Sequence, residues 1–295
     1  MPFVRKITEY LESLAPLSLQ EDYDNSGLIT GDKNMEITGV LITLDCTELV
    51  IDEAIKKGLN LVIAHHPILF KGLKRLNGSN YVERTIIKAI KNDIAIYAIH
   101  TNLDHVSNGV NAKFAEKLNL RNTRILKPIN NLRKLVSFIP QSHTEQLLDE
   151  LHGAGAGSLG EYKECSFRVT GTGRFTPGDS SNPMIGERNK SEEVTEDRIE
   201  IILPESRTDD VLKALKKVHP YEEAAYYLTS IDNLNENNGA GLIGELKEEK
   251  SVAEFLAHIK KLMKLDVIKH TSYDGTIKKN SHLWWFRLIF AKRRP

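Results

Sequence analysis

The sequence predicts an α/β fold: a mixed, largely parallel sheet with flanking helices, into which a smaller α+β domain is inserted. Three observations support this prediction. Helical and strand patterns alternate at the start of the chain, a strand-and-helix pattern occurs twice in its middle, and an alternating pattern returns near its end. With 295 residues, the chain is long enough for two domains.

The first predicted segment, residues 1–131, alternates amphipathic helices with short apolar strands. Val4, Ile7 and Leu11 share one helical face, and Gly58 follows another helix in the position where glycine commonly ends one. A βαβαβ order of this kind predicts parallel strands with helices on the sheet faces. The predicted elements are helix 4–14, strand 37–44, helix 47–57, the strand before His65, helix 81–91, the strand before His100 and helix 111–118.

The second predicted segment, residues 132–234, contains one pattern twice. Residues 134–148 and 198–212 each read as a strand that ends in proline, a Ser or Thr able to cap a helix, and an apolar-periodic helix. A further strand follows each helix, at 166–174 and 225–231. Two βαβ units in one stretch predict an inserted ferredoxin-like domain. The polar residues 177–197 between them predict a mobile loop.

The third predicted segment, residues 235–279, returns to the first domain. Residues 235–239 are rich in Asn and Gly and predict a turn or linker. Strand 242–246, helix 252–262 and strand 267–270 follow, and we expect them to rejoin the first sheet.

Metal-binding residue types follow two of the predicted strands. The run Leu61–Ala64 leads into His65 and His66, and the next strand leads into His100 and, four residues later, Asp104. The carboxyl ends of neighbouring parallel strands share a crevice, so these side chains can converge. Imidazole and carboxylate ligands suit zinc, iron, manganese or cobalt.

A different interpretation of the same histidines also has to be considered. A lone histidine at a strand end is more often a hydrogen-bonded surface residue than a ligand. Moreover, His65 and His66 would point to opposite faces unless the chain leaves the strand there, which Pro67 favours. A consecutive His pair together with a His-x-x-x-Asp segment still favours metal binding over the surface interpretation.

Composition excludes several classes of function. The 40 basic and 40 acidic residues cancel, so we expect no nucleic-acid partner. No apolar stretch reaches the roughly 20 residues that span a bilayer, and the start leads into an amphipathic helix, so we expect a cytoplasmic protein without a membrane partner. The two cysteines, Cys46 and Cys165, fit no metal or disulfide pattern and predict buried thiols.

Two other segments have more than one interpretation. Residues 153–160 are rich in glycine but lack the Lys-Ser/Thr of a P-loop, which favours a flexible turn over a phosphate site. The segment His219-Pro220-Tyr221-Glu222-Glu223 fits a structural turn, acid–base chemistry or a second metal site, and the sequence leaves these alternatives open.

The chain resembles a known family at four motifs. These are Asp24-Asn25-Ser26-Gly27-Leu28, Ala64-His65-His66-Pro67, His100-Thr101-Asn102-Leu103-Asp104 and His219-Pro220-Tyr221-Glu222-Glu223. They resemble the GTP cyclohydrolase I type 2 homologues, also called Ngg-interacting-factor-three-like proteins, over about residues 1 to 279.

The resemblance implies a toroidal homohexamer with two divalent metal ions per subunit and a CutA-like or PII-like insert. It implies that His65, His66 and Asp104 are metal ligands and that His100 orients a ligand or water from the second shell. The implied activity is metal-dependent hydrolysis of a small molecule such as GTP. The alternative is a non-catalytic metal-binding or regulatory ring whose insert senses a ligand or docks a partner.

The segment 280–295 departs from the family pattern, which continues with a Gly-rich turn and a region that supplies a His and a Glu to the metal site. Trp284 and Trp285 each require the codon TGG, and a reading frame one nucleotide later turns them into two glycine codons. We therefore expect a frameshifted tail, an incomplete metal site and a truncated chain of low stability or metal content. The alternative is an authentic aromatic strand or a membrane-contacting tail.

Overall fold

The computed structural model describes residues 1–270, 275–284 and 287–290. The chain divides into two compact units: Met1–Pro128 with Asn237–Pro295, called here the first unit, and Ile129–Glu236, called the second unit. In the part of the chain described, no helix has both the length and the apolar character needed to cross a membrane.

The first sheet of the first unit has four strands in the order β1-β4-β3-β2. Strands β2, β3 and β4 run parallel to one another, and β1 pairs antiparallel with β4. Side chains from the sheet and from α2 and α3 form one core, which includes Ile51, Val62, Ile86 and Ile96. The elements are α1 (Val4–Leu14), β1 (Gly27–Thr30), β2 (Val40–Asp45), α2 (Glu48–Lys57), β3 (Leu61–His66), α3 (Tyr81–Lys91), β4 (Ala95–Ala98), α4 (Thr101–His105) and α5 (Val110–Lys117).

Local sequence explains where these helices begin and end. The Thr47 side chain accepts a hydrogen bond from the Val50 N–H at the start of α2, and Gly58 ends that helix in the left-handed conformation with φ of 67°. The Asn80 side chain caps α3 by accepting from the Glu83 N–H. These hydrogen bonds satisfy backbone N–H groups in the first turn of each helix.

The first unit contains a second, antiparallel sheet, of order β12-β11-β10-β5. A capping box between Ser251 and Glu254 begins α8, whose Phe255 and Ile259 are buried. The prediction of a turn or linker at 235–239 was wrong, because these residues begin a long strand. The prediction of a strand at 267–270 was also wrong, because these residues form no strand. The elements are β5 (Arg121–Ile129), β10 (Asn235–Ser251), α8 (Val252–Leu262), β11 (Thr276–Trp284) and β12 (Arg287–Phe290).

The second unit has one sheet of order β7-β8-β6-β9, in which every neighbouring pair is antiparallel. With a helix after β6 and another after β8, this is the ferredoxin-like order of elements. The helices cover one face of the sheet, where Leu135, Ile139, Ile199 and Ile201 are buried. The elements are β6 (Leu132–Pro140), α6 (Thr144–Gly153), β7 (Ser166–Phe175), β8 (Glu192–Pro204), α7 (Thr208–Val218) and β9 (Tyr226–Ser230).

The two halves of the second unit repeat one local pattern. Strand β6 ends at Pro140 and β8 ends at Pro204, and a single 3-10 turn follows each of them. A helix then begins at Thr144 in one half and at Thr208 in the other. The repeated sequence pattern therefore corresponds to a repeated structure.

Two further fold predictions need correction. Parallel pairing is confined to β2, β3 and β4, and the two other sheets are antiparallel where their pairing is described, so the protein is a mixed α/β fold with several sheets. Interleaving two βαβ units places antiparallel strands side by side, which the strand count does not reveal. The loop predicted at 177–197 is also shorter, because β8 begins at Glu192 and pairs with Phe175.

Candidate metal centre

His65 and His66 lie at the carboxyl end of β3, where the parallel strand ends before Pro67. Both side chains are half-buried, and their ring centroids are 5.0 Å apart. Both residues belong to β3, which ends at His66, and their two imidazoles nevertheless lie side by side.

His100 brings a third imidazole to the same place. It follows β4 and precedes the short helix α4, and it is buried. Its ring centroid lies 5.2 Å from that of His65 and 5.5 Å from that of His66. Each of the three histidines offers a ring nitrogen, and these three atoms lie within 4.8 Å of one another. We call His65, His66 and His100 the histidine cluster.

Each imidazole of the histidine cluster is hydrogen-bonded through Nδ1 to an oxygen that can only accept. The partners are the carbonyl oxygen of Ile99 for His65 (2.9 Å), Asp45 Oδ1 for His66 (2.8 Å) and Asp24 Oδ1 for His100 (2.8 Å). Since the partners accept, Nδ1 carries the proton and donates it. With Nδ1 donating, Nε2 is the ring nitrogen that can act as a metal ligand.

Asp24 fixes the deepest of the three rings. Its side chain is fully buried and accepts hydrogen bonds from the Asn25 N–H (2.7 Å), the Ser26 hydroxyl (3.1 Å) and the Thr101 N–H (3.0 Å), in addition to His100. The Thr101 hydroxyl also donates to it. Asp24 thus joins the loop before β1 to the start of α4.

Burial and hydrogen bonding shift two pKa values at this site. Burial by itself would raise the pKa of Asp24, but the hydrogen bonds from His100, Thr101 and Asn25 hold it far below its usual range. Burial lowers the pKa of His65, and the neighbouring imidazoles act in the same direction. Asp24 is therefore an anion, and His65 is held in its neutral, ligand-competent form.

Asp104 lies in the first turn of α4 and is buried. Its backbone N–H donates to the carbonyl oxygen of His100 at 3.2 Å. The group of three residues whose ligand atoms lie within 4.8 Å of one another contains His100 and not Asp104. The assignment of Asp104 as a ligand, and of His100 as a residue behind the ligands, stays a prediction.

Sequence reasoning did not assign roles to two carboxylates at this site. Asp24 was identified only as part of the motif Asp24-Asn25-Ser26-Gly27-Leu28, and Asp45 was not considered. Asp45 pairs in register with His66 across β2 and β3, so its position at the end of a parallel strand was a usable signal. For Asp24 the motif was the signal, but it did not reveal the contact with His100, which lies 76 residues away.

The fold and the histidine cluster define a mixed α/β protein with a candidate metal centre at the carboxyl edge of its parallel strands. The family model of Duf34/NIF3 (NGG1p interacting factor 3) matches residues 2–281. The chain belongs to this family.

Curated relatives carry the name GTP cyclohydrolase 1 type 2 homolog. The chain is 43% identical to that of Halalkalibacterium halodurans over 257 residues, which cover 86% of this chain and 69% of the relative. It is 41% identical to that of Bacillus subtilis over 278 residues, which cover 93% of this chain and 74% of the relative.

Two solved structures are similar over nearly the whole chain. One is described as a Bacillus cereus protein related to NIF3. It has a TM-score of 0.79 at 40% identity, and the match covers 95% of this chain and 75% of the Bacillus cereus chain. The other is Staphylococcus aureus protein SA1388. It has a TM-score of 0.66 at 28% identity, and the match covers 95% of this chain and 73% of the SA1388 chain.

Proposed function

We propose that the protein binds divalent metal at the histidine cluster and acts as a metal-dependent hydrolase on a small molecule. The observation that carries the proposal is the convergence of three imidazoles, each with Nδ1 hydrogen-bonded to an oxygen and each offering a ring nitrogen within 4.8 Å of those of the other two. Metal-binding histidines almost always have such a partner on the other ring nitrogen. The donor set fits zinc, iron, manganese or cobalt.

In this proposal His65, His66 and Asp104 are metal ligands, and His100 is either a further ligand or the residue that orients one. A bound divalent ion would act as a Lewis acid that makes water a nucleophile near neutral pH. The protein's own contribution is to hold the rings: Asp24, Asp45 and the Ile99 carbonyl fix both tautomer and orientation. Burial at His100 limits access of bulk water from that side.

Metal content of the purified chain tests the binding step. We expect His65→Ala, His66→Ala and Asp104→Ala each to lower the metal bound per chain. His258→Ala is the matched control, because His258 lies in α8 of the same unit and outside the histidine cluster. Unchanged metal content in all three variants would exclude this site.

A comparison of His100→Ala with Asp104→Ala separates their roles. The visible absorption of Co²⁺-loaded protein reports the ligand set directly. Loss of a ligand changes the band shape at saturating Co²⁺, whereas loss of an orienting residue mainly weakens affinity, by about 10- to 100-fold.

Turnover tests the catalytic step separately. GTP and other phosphate-containing compounds are offered to the metal-loaded chain and to His65→Ala. Product formation that depends on His65 supports a hydrolase, and a fully metallated protein with no turnover of any compound supports the second candidate. That candidate is a non-catalytic metal-binding or regulatory ring. It is favoured by a cavity of about 930 Å³ in the second unit, which is large enough to bind a small ligand that the insert would sense.

The remaining parts of the proposal follow from the family resemblance. They are a second metal ion, a homohexamer and a CutA-like or PII-like insert at 132–234. A cytoplasmic location is proposed from the composition of the chain. The frameshifted tail at 280–295 also stays a prediction, and residues 285–286 and 291–295 lie outside the described residues. Sequencing the gene tests it: a shifted frame after Lys279 that cannot encode Gly-Gly-Ser-Gly would remove it.

A further inference from the structure

A cavity of about 930 Å³ lies within the second unit, against the sheet face opposite its helices. Side chains alternate along β8, so Ile199 and Ile201 face the helices while Arg198 and Glu196 face the cavity. Phe138 of β6 lies opposite Arg198 in register and also lines the cavity. The cavity is thus separate from the hydrophobic core of the unit.

Two glycines of β7 make room for the cavity. Gly171 lies opposite Glu196 in register, and a Cβ placed on Gly171 would meet no atom within 4 Å. A Cβ on Gly173 would lie 2.1 Å from Glu196 Oε2, so the carboxylate of Glu196 lies directly over this glycine. Larger residues at these positions would fill the space.

The far wall is a loop that a hydrogen bond ties to another part of the unit. Residues between β7 and β8, including Pro183 and Met184, line the cavity together with the segment from Tyr221 to Ala225. The Asn182 N–H donates to Glu222 Oε2 at 2.9 Å, which fastens the loop to that segment. The segment His219-Pro220-Tyr221-Glu222-Glu223, whose role the sequence left open, therefore supplies one wall.

Glu196 is the buried acidic group of this cavity, with 7% of its surface exposed. Among the described residues its carboxylate has no ion pair and accepts no well-formed hydrogen bond. The Tyr221 hydroxyl lies close to it but does not have the geometry of a hydrogen bond, and that hydroxyl is itself buried and unsatisfied. The Glu196 side chain lines the cavity, so a ligand inside the cavity can reach its carboxylate.

The neighbouring bases do not neutralise Glu196. His219 donates from Nε2 to the Phe138 carbonyl oxygen (2.9 Å) and accepts the Tyr221 N–H at Nδ1 (3.2 Å), which fixes a neutral ring. Arg198 pairs with Glu200 at 2.7 Å. Arg174 donates to the Ser191 hydroxyl at 3.0 Å. Glu222 and Glu223 add further negative charge to the lining.

Aromatic rings surround the same space. The rings of Phe138 and Tyr227 are 5.7 Å apart, and those of Phe175 and Tyr221 are 5.9 Å apart, all four residues lining the cavity. An ammonium group beside a carboxylate and an aromatic face gains from both. We propose that this cavity binds a small organic amine, with its ammonium group on Glu196 and its apolar body between the aromatic rings.

Three probes of similar shape test the proposal on the whole chain by isothermal titration calorimetry. They are 2-phenylethylamine, 2-phenylethanol and phenylacetate, which carry positive, zero and negative charge. We expect the affinity of the amine to be at least about tenfold higher than that of the alcohol, because a hydrogen bond to a charged group contributes enough free energy for such a difference. Phenylacetate is expected to bind most weakly.

Two variants locate the binding. Glu196→Gln keeps the shape of the side chain and is expected to bring the amine down to the affinity of the alcohol. Gly171→Leu fills the cavity and is expected to abolish binding of all three probes. Gly153→Leu is its control, because a Cβ at Gly153 also meets no atom within 4 Å but lies at the end of α6, outside the cavity lining.

Several outcomes would overturn the proposal. They are equal affinity for the three probes, tightest binding of phenylacetate, no saturable binding of any probe, and an amine affinity that Glu196→Gln leaves unchanged. Tightest binding of phenylacetate would assign the cavity to anions through Arg198 instead. Far-ultraviolet circular dichroism confirms that each variant is folded before its binding is compared.

Discussion

Asp24 in the first unit and Glu196 in the second unit are both buried, but their surroundings are opposite. Asp24 accepts hydrogen bonds from Asn25, Ser26, Thr101 and the ring of His100. Glu196 has no well-formed hydrogen bond or ion pair among the described residues, and it faces a cavity. A satisfied carboxylate holds other groups in place, whereas an unsatisfied one is available to a ligand.

The comparison extends to two neighbouring residues of β8. Asp197 faces the helices and accepts hydrogen bonds from the hydroxyls of Thr144 (2.9 Å) and Thr170 (2.8 Å), and from Gln141 Nε2 at 3.3 Å. Glu196 is adjacent in sequence and lies on the opposite face. One strand of the second unit therefore carries both kinds of buried carboxylate.

The largest effect is expected from Asp24→Ala. The substitution leaves several buried donors without their acceptor, among them the Thr101 N–H and Nδ1 of His100. We expect the free energy of unfolding to fall by about 2 to 4 kcal/mol, measured by urea denaturation. Asp22→Ala is the control, because Asp22 is exposed in the same loop. Equal stability of Asp24→Ala and the unmodified chain would contradict the role given to Asp24.

Asp197→Asn is expected to cost about 1 to 2 kcal/mol at neutral pH, and the cost should depend on pH. Burial alone would raise the pKa of Asp197, but hydrogen bonds from Thr170, Thr144 and Gln141 lower it below its ordinary value of 3.8. A carboxyl whose pKa is lower in the folded state stabilises the fold above the unfolded value and loses that contribution as the pH falls below it.

The unfolding free energies of Asp197→Asn and the unmodified chain should therefore differ at pH 7 and converge below about pH 4. Asp209→Asn provides the control, since Asp209 is exposed at the start of α7. A difference that stays constant from pH 7 to pH 3 would show that the charge of Asp197 is not the cause.

A smaller effect is expected at the more exposed edge of the histidine cluster. Asp45 accepts from Nδ1 of His66, but its side chain is 61% exposed, so water can replace it in part. We expect Asp45→Ala to weaken metal affinity by about tenfold, the low end for residues that orient a metal-binding histidine. Competition with a chromophoric chelator measures this. Unfolding free energy without metal should hardly change, which distinguishes Asp45 from Asp24.

The sequence predicted much of the local structure because local physics determines it. The bounds of α1 and α3 agree with the periodicity of their apolar residues, and the apolar runs before His65 and His100 form buried parallel strands. It did not predict β1, β5 or the full length of β10. Strand β1 has only four residues, β5 and the start of β10 contain many polar residues, and the partners of all three are distant in sequence.

The site was predictable only in part for the same reason. Strand ends identified His65 and His66, but membership of His100 in the histidine cluster depends on a turn into α4 and on Asp24, which is distant in sequence. Likewise, alternation along β8 separates the faces of Glu196 and Asp197 but does not reveal which of them finds donors. Those donors come from β7 and from the turn into α6.

The smallest effect, and one of opposite sign, is expected from Glu196→Gln. The Glu196 carboxylate has no ion pair and no well-formed hydrogen bond among the described residues. Replacement by a neutral amide therefore removes a buried charge without removing a contact that compensates it. We expect the free energy of unfolding to stay unchanged or to rise by up to about 1 kcal/mol, measured by urea denaturation without any added amine. Asp24→Asn, the matching change in the first unit, should lower it because an amide nitrogen cannot accept the hydrogen bonds that Asp24 receives. Changes of opposite sign in the free energy of unfolding would support the distinction between Asp24, which stabilises the fold, and Glu196, which is available to a ligand. Destabilisation of similar size in both would mean that Glu196 is as well partnered as Asp24, and the comparison between the two units would fail.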